Sequence, residues 1–357
     1  MAVNGTKISQ KAIDIYQLFS RIVLMNKKII AALLLLTIWV PVNAQAALKN
    51  QTQSVPTLAI VDTAIDTSLP IFNGKIVAEV CIMDWSLCPN GSSFMEGPGS
   101  ATLPLNQINL DGFDHGTHMA SAAVMSNPNM NIVFIRIFGF DPTLKGQVRN
   151  GGLCNKPAGS AYRCVNTNEV IAKALDWVKQ NKEKYNIKAV SMSQGSHALK
   201  PAGTDYCTKV PSVTSAVQSL LASNVPSFFA SGNNRDYTRI DWPSCIPESV
   251  SVGGVDQVNE ILSNTNTDKN ILDFFALGAT GTKSLPYLVG PGGVLKNASG
   301  TSVATQVAAA NYIKVQQYKV GLSASQILNL MSEKSIQTIG KQGSYKKLIS
   351  IESILNG

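Results

Sequence analysis

Three histidines, His115, His118 and His197, are all that this 357-residue chain offers as imidazole bases. Two of them fall in Asp111-Gly112-Phe113-Asp114-His115-Gly116-Thr117-His118-Met119-Ala120. Histidines three apart could serve a zinc ion, but zinc needs a further ligand, and the glutamate of an H-E-x-x-H motif is absent. A helix start with a buried histidine accounts for the segment equally well. A second segment, Gly300-Thr301-Ser302-Val303-Ala304, opens an Ala-rich stretch. A serine at a helix N-terminus faces N–H groups and a dipole that favour negative charge on or near its oxygen. It could equally be an ordinary N-cap. Each segment alone leaves both readings open.

Order along the chain narrows the chemistry. No G-x-S-x-G elbow occurs and no histidine follows Ser302, which excludes the order serine, acid, histidine for that serine. The order histidine, aspartate, serine lacks its Gly-Asp-Ser-Gly context. What remains is Asp62, His115 and Ser302, a triad in the order Asp, His, Ser.

Such residues need a scaffold, and the flanking pattern supplies one. Short apolar, β-branched runs predict strands over 58–61, 132–137, 189–192, 227–230 and 249–252. Helical spacing appears over 168–178 and 213–221, and 300–318 is rich in Ala, Val and Gln. Alternating strands and helices predict an α/β fold, a three-layer sandwich with a mostly parallel central sheet. In such folds functional groups sit beyond the carboxyl ends of strands. Asp62, Ser193-Gln194-Gly195 and Gly232-Asn233-Asn234 each follow one of the strands.

At this point the chain resembles the subtilisin-like serine protease family. Leu58-Ala59-Ile60-Val61-Asp62-Thr63-Ala64-Ile65-Asp66 is similar to its aspartate motif. His115-Gly116-Thr117-His118-Met119-Ala120 is similar to its histidine motif, and Ser299-Gly300-Thr301-Ser302-Val303-Ala304 to its serine motif. Val190-Ser191-Met192-Ser193-Gln194-Gly195 resembles the strand that pairs with the substrate backbone, and Ala230-Ser231-Gly232-Asn233 the segment with the oxyanion asparagine. Pro247 to Gly253 and the tail 343–354 complete the likeness. The resemblance implies a subtilisin-like fold, a serine endopeptidase, and a polypeptide substrate. It implies Asp62, His115 and Ser302 as catalytic residues and Asn233 in the oxyanion hole. Ser193, Gln194 and Gly195 would bind substrate. His118 and Asp66 are expected to be structural, and His197 to lie on the surface or the pocket rim. A processing protease for one partner protein and an inactive subtilisin-like binding domain are the competing readings; the intact set of four residues speaks against the second.

Several positions depart from the family pattern. Ala64 replaces the glycine after Asp-Thr, and Gln306 stands where the serine helix usually has proline. No cofactor and no metal ligand is expected. Calcium is the one ion the family suggests, but Leu69-Pro70-Ile71 lacks the usual carboxylate near Ile71. Two insertions are expected, around Cys81–Cys88 and around Cys154–Cys164, the second at the rim of the substrate cleft.

Residues 1–46 read as a signal peptide with an extended n-region, ahead of a peptidase domain over 47–357. Met25-Asn26-Lys27-Lys28 precedes an apolar run over 29–40 and the small-residue site Ala44-Gln45-Ala46. A run of twelve residues, apolar but for Thr37, falls short of the ~20 of a membrane span, so no stable membrane insertion is expected after cleavage; an uncleaved anchor is the alternative. The expected location is secreted or periplasmic. Only 15 residues separate the cleavage site from Asp62, so the enzyme is expected to fold unaided or with an inhibitor or chaperone acting in trans. The formal charge of +8 is half accounted for by residues 1–46. The remainder has no dense basic run with interleaved aromatics, so no nucleic acid is expected as partner. The six cysteines follow the cleavage site, an even count that suits disulfides in an exported chain. Pairing neighbours gives Cys81–Cys88, Cys154–Cys164 and Cys207–Cys245, with free buried thiols as the alternative.

Overall fold

The apolar runs become strands of one ten-stranded sheet in the computed structural model, which describes residues 55–84, 87–109, 112–140, 164–165, 168–197 and 206–356. Its strands are β1 (Thr57–Asp62), β2 (Ile76–Ile82), β3 (Phe94–Glu96), β4 (Asn131–Arg136), β5 (Ile187–Met192), β6 (Ser227–Ala230), β7 (Val250–Val255), β8 (Phe274–Leu277), β9 (Ile336–Gly340) and β10 (Gly343–Leu348). The order across the sheet is β9-β10-β8-β7-β6-β5-β1-β4-β2-β3. Every neighbouring pair is parallel except the two at the edges, β2–β3 and β9–β10. The described helices that cover it include α1 (His115–Ser126), α2 (Asn168–Asn181), α3 (Pro211–Ala222), α4 (Thr301–Tyr318) and α5 (Ala324–Glu333).

Strand side chains alternate between faces, and here both faces are buried. Ala59, Val61, Val190 and Phe229 point into a core with Val170, Trp177 and Val217 of α2 and α3. Leu58, Ile60, Ala189 and Phe228 point into a second core with Met119 of α1, Ala308 and Ile313 of α4, and Ile327 of α5. Helices on both sides of a mostly parallel sheet make the expected three layers.

Each expected strand and helix is present within a few residues of its expected bounds. Two buried strands, β2 and β8, and the edge hairpin β9–β10 were not anticipated. β2 carries the charged Glu79 within its apolar run, which breaks up its pattern. Cys81–Cys88 and Cys207–Cys245 are disulfide-bonded as expected. Cys154, the partner expected for Cys164, the insertion before Cys164 and residues 1–46 lie outside the described residues. Ile71 packs against the apolar core, and its side chain offers no oxygen to a cation.

Candidate active site

Parallel packing brings strand ends and helix starts to one side of the sheet. Asp62 is the last residue of β1, and Ser193-Gln194-Gly195 follows β5 directly. Ser231-Gly232-Asn233 follows β6, while His115 and Ser302 occupy the first turns of α1 and α4.

Asp62 and His115 form a tight pair. The Asp62 side chain is fully buried, and His115 Nδ1–H donates to its Oδ1 at 2.8 Å and Oδ2 at 3.0 Å. The Thr63 N–H donates to Oδ1 at 2.7 Å. The same threonine's hydroxyl accepts from Gly116 N–H at 2.9 Å and donates to Phe113 O at 2.9 Å, so β1 and the start of α1 are clamped together. Burial of the imidazole opposes its charged form, but the Asp62 charge and hydrogen bond outweigh it and hold the His115 pKa above the ordinary 6.5. A side chain at Gly116 would meet Ala64 O at 2.4 Å, which is why α1 approaches β1 through a glycine.

Gln194 adds a contact that sequence reasoning did not reveal. Its Nε2 lies 3.5 Å from Asp62 Oδ1 and 3.3 Å from His115 Nδ1. The Nδ1 hydrogen is committed to the carboxylate, so the amide hydrogen goes to Asp62 rather than to the ring.

Ser302 is tied to the same region differently. Its Oγ donates to Ser193 O at 3.5 Å and forms no hydrogen bond to His115. Its carbonyl accepts from Ser193 Oγ at 3.0 Å. Asn233 Oδ1 accepts from Thr301 N–H at 3.0 Å and Thr301 Oγ1 at 3.2 Å, capping α4 one residue before Ser302. Those bonds orient the amide, so that Nδ2 is the donor left for a further partner. A side chain at Gly300 would come 3.2 Å from Asn233 Oδ1, so the glycine leaves Asn233 room. A cavity of about 240 Å³ is lined by Ser193, Gln194, Gly195, Asn233 and Ser302, with Asp241 in its wall. A larger open hollow of about 1030 Å³, lined by residues such as Val255, Lys283 and Lys314, holds none of these groups.

The remaining expected residues fall as follows. His118 is buried, 3.6 Å from Asp114, and burial pushes its pKa down to about 4. Asp66 accepts from Ser68 and from the Gly292 N–H, which ties two loops together. His197 is partly exposed and bonded to Asp241, and it is not among the residues that line the cavity. Among the described residues no cluster of three or more His, Cys, Asp or Glu could hold a metal ion. No described helix is long and apolar enough to cross a membrane.

The family model for the subtilase family matches residues 53–350. Subtilisin DY of Bacillus licheniformis is 24% identical over 293 residues, 77% of this chain and 89% of that protein. Among solved structures, a cold-adapted subtilisin-like serine proteinase superposes with a TM-score of 0.54 at 20% identity, covering 83% of this chain and 89% of the other. The prenylagaramide maturation protease PagA gives 0.57 at 15% identity, covering 85% and 94%. With the matched stretch running through Asp62, His115, Asn233 and Ser302, the chain belongs to the subtilase family of serine proteases.

Proposed function

We propose that this protein is an exported endopeptidase that cleaves polypeptides through an acyl-enzyme on Ser302. The observation that carries the reading is the buried Asp62 carboxylate held against His115 Nδ1, which leaves the other ring nitrogen to serve as base. The Ser302 hydroxyl leaves its long contact with Ser193 O, gives its proton to His115 Nε2, and its oxygen attacks the peptide carbonyl. Asp62 stabilises the imidazolium. Asn233 Nδ2 and the Ser302 N–H take the oxyanion. The imidazolium then protonates the leaving amine, and water, deprotonated by the same ring, releases the acyl group. Ser193-Gln194-Gly195 pairs with the substrate backbone beside Ser302.

A fluorophosphonate that labels active serines tests this directly. The expected result is one label on Ser302, lost in Ser302→Ala and in His115→Ala. A folded protein that takes no label is an inactive binding domain instead.

The two disulfides and the apolar run over 29–40 support export with removal of residues 1–46. N-terminal sequencing of the exported protein should then begin near Ala47; a chain still starting at Met1 or Met25 contradicts it. A narrower role, processing of one partner, draws support from the likeness to a peptide maturation protease.

A further inference from the structure

Among the described residues that line the cavity beside Ser302, the one ionisable group is Asp241. Two glycines open the space in front of it. A Cβ on Gly232 would come 2.3 Å from Asp241 Oδ2, and one on Gly195 3.2 Å from Asp241 Cβ. The carboxylate therefore packs directly behind the backbone of both segments that flank the cavity.

Its position is built into the fold. Asp241 N–H donates to Ser231 O at 2.8 Å, just past β6. The next residue, Trp242, pairs with Ser196 through two backbone hydrogen bonds, of 2.7 and 3.2 Å, just past Gly195. Both side-chain hydrogen bonds to Asp241 fall on Oδ1, from His197 Nδ1 at 2.8 Å and Asn266 Nδ2 at 2.9 Å. Oδ2 is the oxygen on the glycine side.

Two other ionisable groups and a guanidinium lie around it. Arg239 Nε pairs with Asp236 at 3.2 Å, and an Arg239 amino group bonds His197 Nε2. Asp236 Oδ2 also lies 3.6 Å from that Nε2. Asp236 and Asp241 thus lie around one guanidinium and one imidazole, and among the described residues no Lys or Arg lines the cavity. Burial pushes the Asp241 pKa up, and His197, Asn266 and Arg239 reverse this only in part. A buried carboxylate with one oxygen turned to the cavity gains from a cation there and loses from an apolar neighbour.

We infer that Asp241 makes this cavity the pocket for a basic side chain, so that the protein cleaves after Arg or Lys. At about 240 Å³ the cavity falls below the roughly 300–1,000 Å³ of pockets that enclose whole ligands and suits a single side chain. The inference rests on the serine-peptidase reading and adds the substrate class to it.

The test uses peptides that differ only at the residue before the scissile bond, arginine in one and citrulline, its neutral isostere, in the other. The wild-type protein should favour arginine by at least about 30-fold in kcat/KM. In Asp241→Asn the ratio should fall to within about threefold of unity, whereas a merely structural aspartate would leave it unmoved. A wild-type ratio near one overturns the inference without any variant, as does a ratio unchanged by Asp241→Asn. Fluorophosphonate labelling of the same preparation separates the two failures. A labelled enzyme indifferent to arginine refutes the pocket alone, and an unlabelled one refutes the peptidase reading with it.

Discussion

Gln306, fully buried one turn beyond Ser302 in α4, donates its side-chain amide to Ser193 Oγ at 2.9 Å and accepts from Ser191 Oγ at 2.7 Å. Ser193 Oγ in turn donates to the Ser302 carbonyl at 3.0 Å. The serine helix and the end of β5 are thereby tied at the position where relatives usually carry proline.

Gln306→Leu keeps the volume but leaves the hydroxyls of Ser191 and Ser193 without their amide partner. An unsatisfied buried polar group costs about 1–3 kcal/mol, so the variant should lose stability on that order. Urea denaturation, run in a Ser302→Ala background to prevent self-digestion, measures it. Equal midpoints for the two proteins would show that the amide link contributes nothing.

The raised pKa of His115 sets the pH dependence of turnover. The ring must be neutral to act as base, so activity grows as pH climbs through its pKa. Because Asp62 favours the protonated ring over the opposing effect of burial, the ascending limb of kcat/KM should have its midpoint above about 6.5. Rates from pH 5 to 9 on one peptide check this. A midpoint below 6.5 would mean that the limb reports another group.

Asn233 has two separable tasks. Asn233→Ala should lower kcat by about 10²–10³ with little change in KM, a size carried over from subtilisin rather than derived from this geometry. The same change also removes the acceptor for Thr301 and should lower the melting temperature. Asn233→Asp keeps an acceptor and loses the donor, so its kcat should fall at least as far while its melting temperature stays closer to wild type. A folded Asn233→Ala protein with full kcat would remove the residue from the mechanism.

His118 should make the protein weaker in mild acid. Its folded pKa is about 4 against an ordinary 6.5, so between those values the unfolded chain binds a proton that the folded protein refuses. Stability from this group is complete above about 6.5 and declines as pH falls towards 4, by about 2 kcal/mol between pH 7.5 and pH 5. His115 shifts in the opposite direction, so the comparison must be between proteins that share it. In the Ser302→Ala background, His118→Asn should lose less stability between pH 7.5 and pH 5 than its parent. An identical loss in both would assign the acid sensitivity elsewhere.

Sequence alone determined the order Asp62, His115, Ser302 and the parallel three-layer scaffold; it suggested pairing neighbouring cysteines, and the structure joins Cys81 to Cys88 and Cys207 to Cys245. Those features are local or ordinal. A continuous apolar run is a buried strand whatever lies beside it, and the residue that ends it is read off directly, as Asp62 is. Tertiary structure decided the rest. Gln306 reaches Ser193 across 113 residues. Asp241 comes to Gly195 only because Trp242 pairs with Ser196 at the end of a different strand. Gln194, recognised as part of a substrate segment, turns its amide towards Asp62 and His115. No periodicity or spacing records such contacts, because each depends on how several separately formed elements pack and on which glycines let them approach.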